Sequence, residues 1–200
     1  MKQYLRVLSF ILILSVFPMA AFASPAEDQV IEHQTEIITE NPGNAVAYFK
    51  RGDAYWRKGQ YDLAIADENT AIEKNSNYAA AYIIRSICYS SLKNYEAAIN
   101  DNTKAIELQP NYGLAYRNRA IEYRLLGKYD LSIADCDKSL AIEPKQLKAY
   151  YLKGLSLEGK SLNDEAIIVY KKVIALSSTP DDDSLVSSAK NRIIVLGGTI

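Results

Sequence analysis

The sequence predicts an all-α protein built as a solenoid of stacked helix pairs, and three patterns carry that prediction. Tyrosine occurs 15 times against 4 Phe and 1 Trp, and most of the tyrosines recur in register. Tyr48, Tyr82, Tyr116 and Tyr150 are spaced by steps of 34, as are Tyr55, Tyr89 and Tyr123, then Tyr61, Tyr95 and Tyr129, then Tyr78 and Tyr112. Small residues share the period: Gly52, Ser86, Ala120 and Gly154; Ala64, Ala98, Ser132 and Ala166; Ala71, Ala105, Ser139 and Val173. Inside each unit the apolar residues follow helical spacing rather than alternation. A period of this length marks a unit that cannot bury its apolar face alone and must stack on its neighbours.

The elements follow in chain order. Residues 1–23 read as an export signal: Lys2 and Arg6 are positive, Val7 to Phe17 is apolar, Pro18 breaks the run, and Ala21-Phe22-Ala23 offers a small-x-small cut. The alternative is an uncleaved anchor, but Val7 to Ala23 is short of the roughly 20 apolar residues of a span. Cleavage implies an exported protein, periplasmic or extracellular, with no membrane span left. Residues 24–44 carry Val30, Ile31, Ile37 and Ile38, the pattern of a capping helix from an incomplete repeat.

Four repeats then occupy 45–78, 79–112, 113–146 and 147–180. In the first, Tyr48, Gly52, Tyr55 and Trp56 mark one helix, which Gly59 ends because glycine accepts positive φ. A second helix starts near Asp62 and carries Ala64, Ile65, Glu68, Ala71 and Ile72. Each second helix has an acid in its first turn (Asp62, Glu96, Asp130, Asp164), favourable against the helix dipole. Pro42, Pro110 and Pro144 punctuate the units. In 181–200, Asp181-Asp182-Asp183 opens a final capping helix with Leu185, Val186, Ala189, Ile193 and Ile194 on its apolar stripe.

Chemistry is sparse, and no catalytic residue, metal site or cofactor is expected. The chain has 23 basic and 24 acidic residues, a balance that argues against a phosphate-driven nucleic-acid binder. A single His, His33, lacks nucleophile and orienter partners, and Gly197-Gly198 is no phosphate cradle. Cys88 and Cys136 read as small core hydrophobes.

With an aromatic at the fourth repeat position, a small residue at the eighth, Tyr at the eleventh, small residues at the twentieth and twenty-seventh and Pro at the thirty-second, the chain resembles the tetratricopeptide repeat family. The resemblance implies a right-handed α-solenoid whose first helices line a concave, partner-binding surface. It departs at the seventh position, commonly Leu, which here is Arg51, Arg85, Arg119 and Lys153. Sixteen residues later stand Asp67, Asp101, Asp135 and then Val169. The coupled loss in the fourth repeat predicts three Arg–Asp ion pairs bridging the helices of repeats one to three.

The groove positions that the resemblance implies hold Phe49, Asp53 and Trp56, then Ile83 and Ile87, then Arg117, Ile121 and Arg124, then Tyr151 and Leu155. Phe49 and Asp53, and again Ile83 and Ile87, stand where some family members clamp a peptide carboxylate with Lys and Asn, so that clamp is not expected. The resulting expectation is a non-catalytic module that binds a protein or peptide in the groove. The alternative is a self-associating assembly or accessory factor of the cell envelope, a homo-oligomer.

Overall fold

Helical periodicity repeated at 34 residues produces helix pairs joined by tight turns. The computed structural model describes residues 25–179 and 182–200, so the export signal expected over 1–23 lies outside the described residues. Among the described residues there are ten helices and no strand. They are α1 (Pro25–Glu40), α2 (Ala45–Arg57), α3 (Tyr61–Lys74), α4 (Ala79–Ser91), α5 (Tyr95–Leu108), α6 (Gly113–Leu125), α7 (Tyr129–Ile142), α8 (Leu147–Gly159), α9 (Asn163–Leu176) and α10 (Asp183–Val195). This is an all-α helical repeat solenoid.

The turn inside each repeat is the same Schellman closure four times over. The residue two past the first helix has positive φ: Gly59 and Gly127 at 71°, Lys93 and Ser161 at 62°. The next amide reaches back to close it, as Gln60 N–H does to the Tyr55 carbonyl at 2.9 Å. Where Gly and even-repeat Lys or Ser alternate, the backbone is held and only the side chain's tolerance changes.

Close approach within a pair depends on the eighth and twenty-fourth repeat positions. Gly52 faces Glu68, Ser86 bonds Asn102 at 3.0 Å, and Gly154 faces the Tyr170 ring. A Cβ at Gly154 would lie 2.5 Å from Tyr170 Cε1, so no other residue fits there without moving the ring. Ala64, Ala71, Ala98, Ala105, Ser132, Ser139, Ala166 and Val173 are all fully buried at the helix crossings.

Successive helices pack on one another, and α2 also touches α4, α4 touches α6, α6 touches α8 and α8 touches α10. Among the described residues no such contact joins α3 to α5, α5 to α7 or α7 to α9. First helices therefore converge while second helices splay. The stack curves with the first helices on its inner, concave side.

The seventh-position arginines lock this stack. Arg51 donates through Nε and Nη2 to Asp67 at 2.7 and 2.8 Å, Arg85 to Asp101 at 2.8 and 2.7 Å, and Arg119 to Asp135 at 2.7 and 2.9 Å. The remaining Nη1 reaches the preceding second helix: Thr35 Oγ1, Asn69 Oδ1 and Thr103 Oγ1 respectively. Each guanidinium thus ties its own hairpin to the previous one. In repeat four Lys153 keeps only the backward link, to Asp137 at 2.5 Å. The fork of Arg can hold two partners where the point charge of Lys holds one. The tyrosine period has a cause here too. Tyr48, Tyr82 and Tyr116 lie 5.4–5.8 Å from these guanidinium groups, and Tyr123 lies 5.7 Å from that of Arg119.

Both ends of the array are covered. The Gln34 side chain of α1 is buried, and α10 inserts Ala189 and Ile193 into a core shared with Leu157, Ala166, Tyr170 and Val173. The expected α10 stripe is narrower than the sequence suggested, because Ile194 is 59% exposed. Asp182 accepts the amides of Ser178 and Thr179 just before that helix.

Candidate functional site

The concave face is assembled from α2, α4, α6 and α8, each a short helix packed against the second helix of its own pair. Phe49, Asp53 and Trp56 lie half-buried on α2, with Phe49 packed on the Tyr78 ring at 4.8 Å between centroids. Asp53 is held by Arg57 at 2.9 Å. Ile87, Ile121, Tyr151 and Leu155 are partly buried and lean on the core beneath them.

Ile83 departs from the expected groove. It is 2% exposed and sits with Tyr82, Ala79, Ala105 and Ala115 in the core, because its position turns into the joint with the next repeat. It offers no surface to a partner in this conformation.

The arginines separate into two groups. Among the described residues Arg51, Arg57, Arg85, Arg119 and Arg192 each hold a carboxylate. Arg117 and Arg124 form no ion pair, and both are on α6 at concave positions. Burial pushes the Arg117 guanidinium below its ordinary value, with Glu143 acting weakly in the opposite sense. Glu143 itself takes a hydrogen bond from Gln146. The Arg124 Nε is buried without a hydrogen-bond partner. A half-buried cation without an ion-pair partner is costly unless a counter-charge arrives.

Beneath the groove are acids that sequence reasoning did not single out as site residues. Glu68 is fully buried, neither carboxylate oxygen has a partner, and burial, then Asp67 and Asp53, push it up to about 9 against the pull of Arg85. Glu122 is 3% exposed and pushed up to about 7 by burial, against a hydrogen bond from Ser90. Glu68 occupies the twenty-fourth repeat position, as Asn102, Cys136 and Tyr170 do. An acid within an otherwise apolar helical stripe was the available signal. Burial also pushes the Cys88 and Cys136 thiols up to about 12, so both are poor nucleophiles. They are unpaired and fully buried.

At the far end, Glu158 of α8 accepts Arg192 Nε at 2.9 Å, Arg192 Nη2, and the Tyr170 hydroxyl. His33 lies exposed on α1 beside Glu36, away from the groove. Among the described residues no helix is long and apolar enough to cross a membrane, and no group of three or more His, Cys, Asp or Glu could hold a metal ion.

Two models described as tetratricopeptide repeat match the chain, one over residues 30–80 and 49–113 and the other over 147–180. No curated protein matches the sequence. Among solved structures the chain is similar to MamA, at 29% identity over 75% of this chain and 88% of that one, with a TM-score of 0.71. YrrB, described as a tetratricopeptide repeat protein with an unusual peptide-binding site, shares the fold at 20% identity over 83% of this chain and 82% of that one (TM-score 0.68). The first repeat domain of Spaghetti (RPAP3), bound to an HSP90 peptide, shares it at 23% identity over 58% and 93% (TM-score 0.58).

Proposed function

The chain belongs to the tetratricopeptide repeat family, its two matches together spanning more than half of the sequence, and we propose that it is an exported, non-catalytic module that binds an acidic, partly apolar segment of a partner protein on its concave face. Export rests on the sequence of residues 1–23. Mature protein is expected to start at Ser24, and mass spectrometry of exported material that finds Met1 to Ala23 intact refutes it. Binding is the general task of this repeat family, and the same fold carries a peptide-binding site in YrrB and holds an HSP90 peptide in Spaghetti.

The observation that carries the partner's chemistry is the pair Arg117 and Arg124. They are the two described arginines without a carboxylate, on one helix of the concave wall. Seven residues of helix put them about 10 Å apart along the axis, within reach of one acidic stretch. Phe49 and Trp56 supply aromatic anchors two helices away, and aromatic and Arg side chains dominate binding energy at interfaces.

The probe is a short labelled peptide of alternating Glu and Leu, compared with its Lys and Leu counterpart. The acidic peptide is expected to bind with a salt-dependent affinity that flattens in the Arg117→Ala/Arg124→Ala double variant. Trp56→Ala is expected to cost about 2 kcal/mol of binding without unfolding the array. Equal affinity for both peptides removes the charge assignment. Unfolding of Trp56→Ala with unchanged affinity of the folded fraction makes Trp56 a core residue.

A further inference from the structure

Position twelve of the repeats runs along the concave wall as Trp56, Ser90, Arg124 and Glu158, and Arg192 continues the series 34 residues beyond Glu158. Helix α10 packs on α8 and α9, where the first helix of another repeat would stand. Two adjacent members of this series, Arg124 and Glu158, have opposite charge, yet they form no ion pair. The reason is visible in the bonds. Both oxygens of Glu158 are occupied by Arg192, and one also takes the Tyr170 hydroxyl. The Tyr170 hydroxyl that donates to Glu158 also feels the charge of Arg124, so all three groups share this end of the wall.

We propose that α10 is part of the binding site: Arg192 sequesters Glu158 and so keeps Arg124 free for a partner carboxylate. The inference rests on the acidic-partner reading above and names the residue that sets the groove's charge preference. The Glu158 side chain is 10% exposed, so it requires a compensating cation. With Arg192 in place the pair is neutral and the groove keeps the charge of Arg124. Without it, the nearest cation in the same register on the neighbouring first helix is Arg124, and the two cancel. A helix that only covered an apolar end would need Ala189 and Ile193, not an arginine in this register.

The test uses the full chain with Arg192→Met, Glu158→Gln and the double variant. Without any peptide, the NMR signal of the Arg124 Nε–H group, assigned by its loss in Arg124→Lys, is expected to shift in Arg192→Met and to return in the double variant. With the labelled Glu/Leu peptide, Arg192→Met is expected to bind about tenfold more weakly, the double variant to recover, and Glu158→Gln to bind at least as tightly as the natural protein. Lys190→Met removes an exposed charge from the same helix and is expected to leave affinity unchanged.

An unmoved Arg124 signal in Arg192→Met overturns the proposal, as does an equal loss of affinity in Lys190→Met. If Arg192→Met does not fold, Glu158→Gln alone decides: weaker binding of the acidic peptide overturns the proposal, and binding at least as tight as that of the natural protein supports it. If the Arg124 signal shifts as expected but no variant binds the peptide, the sequestering of Glu158 stands and the acidic-partner reading fails.

Discussion

In α2 a glycine, Gly52, faces Glu68 of α3; in α8 a glycine, Gly154, faces Tyr170 of α9. The backbone problem is the same at both joints, a first helix lying so close to a second that a Cβ would meet the facing side chain at 2.5 Å. The chemistry differs. Tyr170 fills its space with a buried ring and finds Glu158 for its hydroxyl. Glu68 fills a similar space with a carboxyl group whose two oxygens have no partner. The position itself fixes neither size nor polarity, since it also holds Asn102 and Cys136; at the two glycine joints it is the missing Cβ that makes room for a large side chain of either kind. The phenol under the far end of the groove donates to Glu158 beside Arg192. The acid under the near end feels the charge of Asp53 in the groove above it.

The largest effect is expected where the ring is removed. Tyr170→Ala deletes a fully buried aromatic from the core shared by α8, α9 and α10 and should cost about 3–5 kcal/mol. Glu68→Leu, at the equivalent position, should instead stabilise by about 1–3 kcal/mol, because it removes an unpartnered buried polar group at little change in volume. Urea unfolding of both variants breaks the comparison if Glu68→Leu destabilises, since Glu68 must then have a partner that matters more than its burial costs.

A pH series sharpens the same contrast. The folded-state values of Glu68 and Glu122, about 9 and about 7, lie above an ordinary carboxylate, so the folded chain holds these protons longer than the unfolded one. Stability from these groups is fully present below about pH 4.5 and is lost as pH rises from there, up to about 7 for Glu122 and up to about 9 for Glu68, by about 1 kcal/mol per pH unit for each group inside its window. Glu68→Gln should remove the loss that continues from pH 7 to pH 9, and Glu122→Gln should lessen the loss between pH 5 and pH 7. Urea midpoints measured from pH 5 to pH 9 check the sign, and a midpoint that rises with pH contradicts it.

The period made the architecture readable, because each of four units repeats the same small and aromatic positions and one misassignment is outvoted by three copies. The Arg–Asp pairing was readable for a related reason: Lys153 and Val169 change together. Their second bonds, to Thr35, Asn69 and Thr103, were not, since the partners differ in type from repeat to repeat. Ile83 was assigned to the groove because it stands at a position that the family resemblance puts on the concave face, but the resemblance does not say which edge of that face the next repeat covers in this chain. The pairing of Glu158 with Arg192 was not read from sequence although Arg192 stands 34 residues on, because α10 lacks the repeat's aromatic at the fourth position and Tyr at the eleventh, where Ser184 and Asn191 stand.

The smallest expected effect concerns the turns, where odd and even repeats differ. Gly59 and Gly127 have positive φ, and nothing lies within 4 Å of where a Cβ would be. Lys93 and Ser161 occupy the same left-handed conformation with a side chain. Space is therefore not the constraint, and the contrast isolates the backbone preference alone. An L-residue in this region costs roughly 1–2 kcal/mol, while glycine loses more entropy on folding, so the two terms partly cancel. Lys93→Gly should raise stability by about 0.5–1 kcal/mol, and Gly59→Ala should lower it by about 1 kcal/mol. Both are read as shifts in the urea midpoint with an unchanged slope. A destabilised Lys93→Gly would mean that the lysine side chain contributes more to the even turns than its backbone strain removes, and the turns of the two kinds would then not be equivalent.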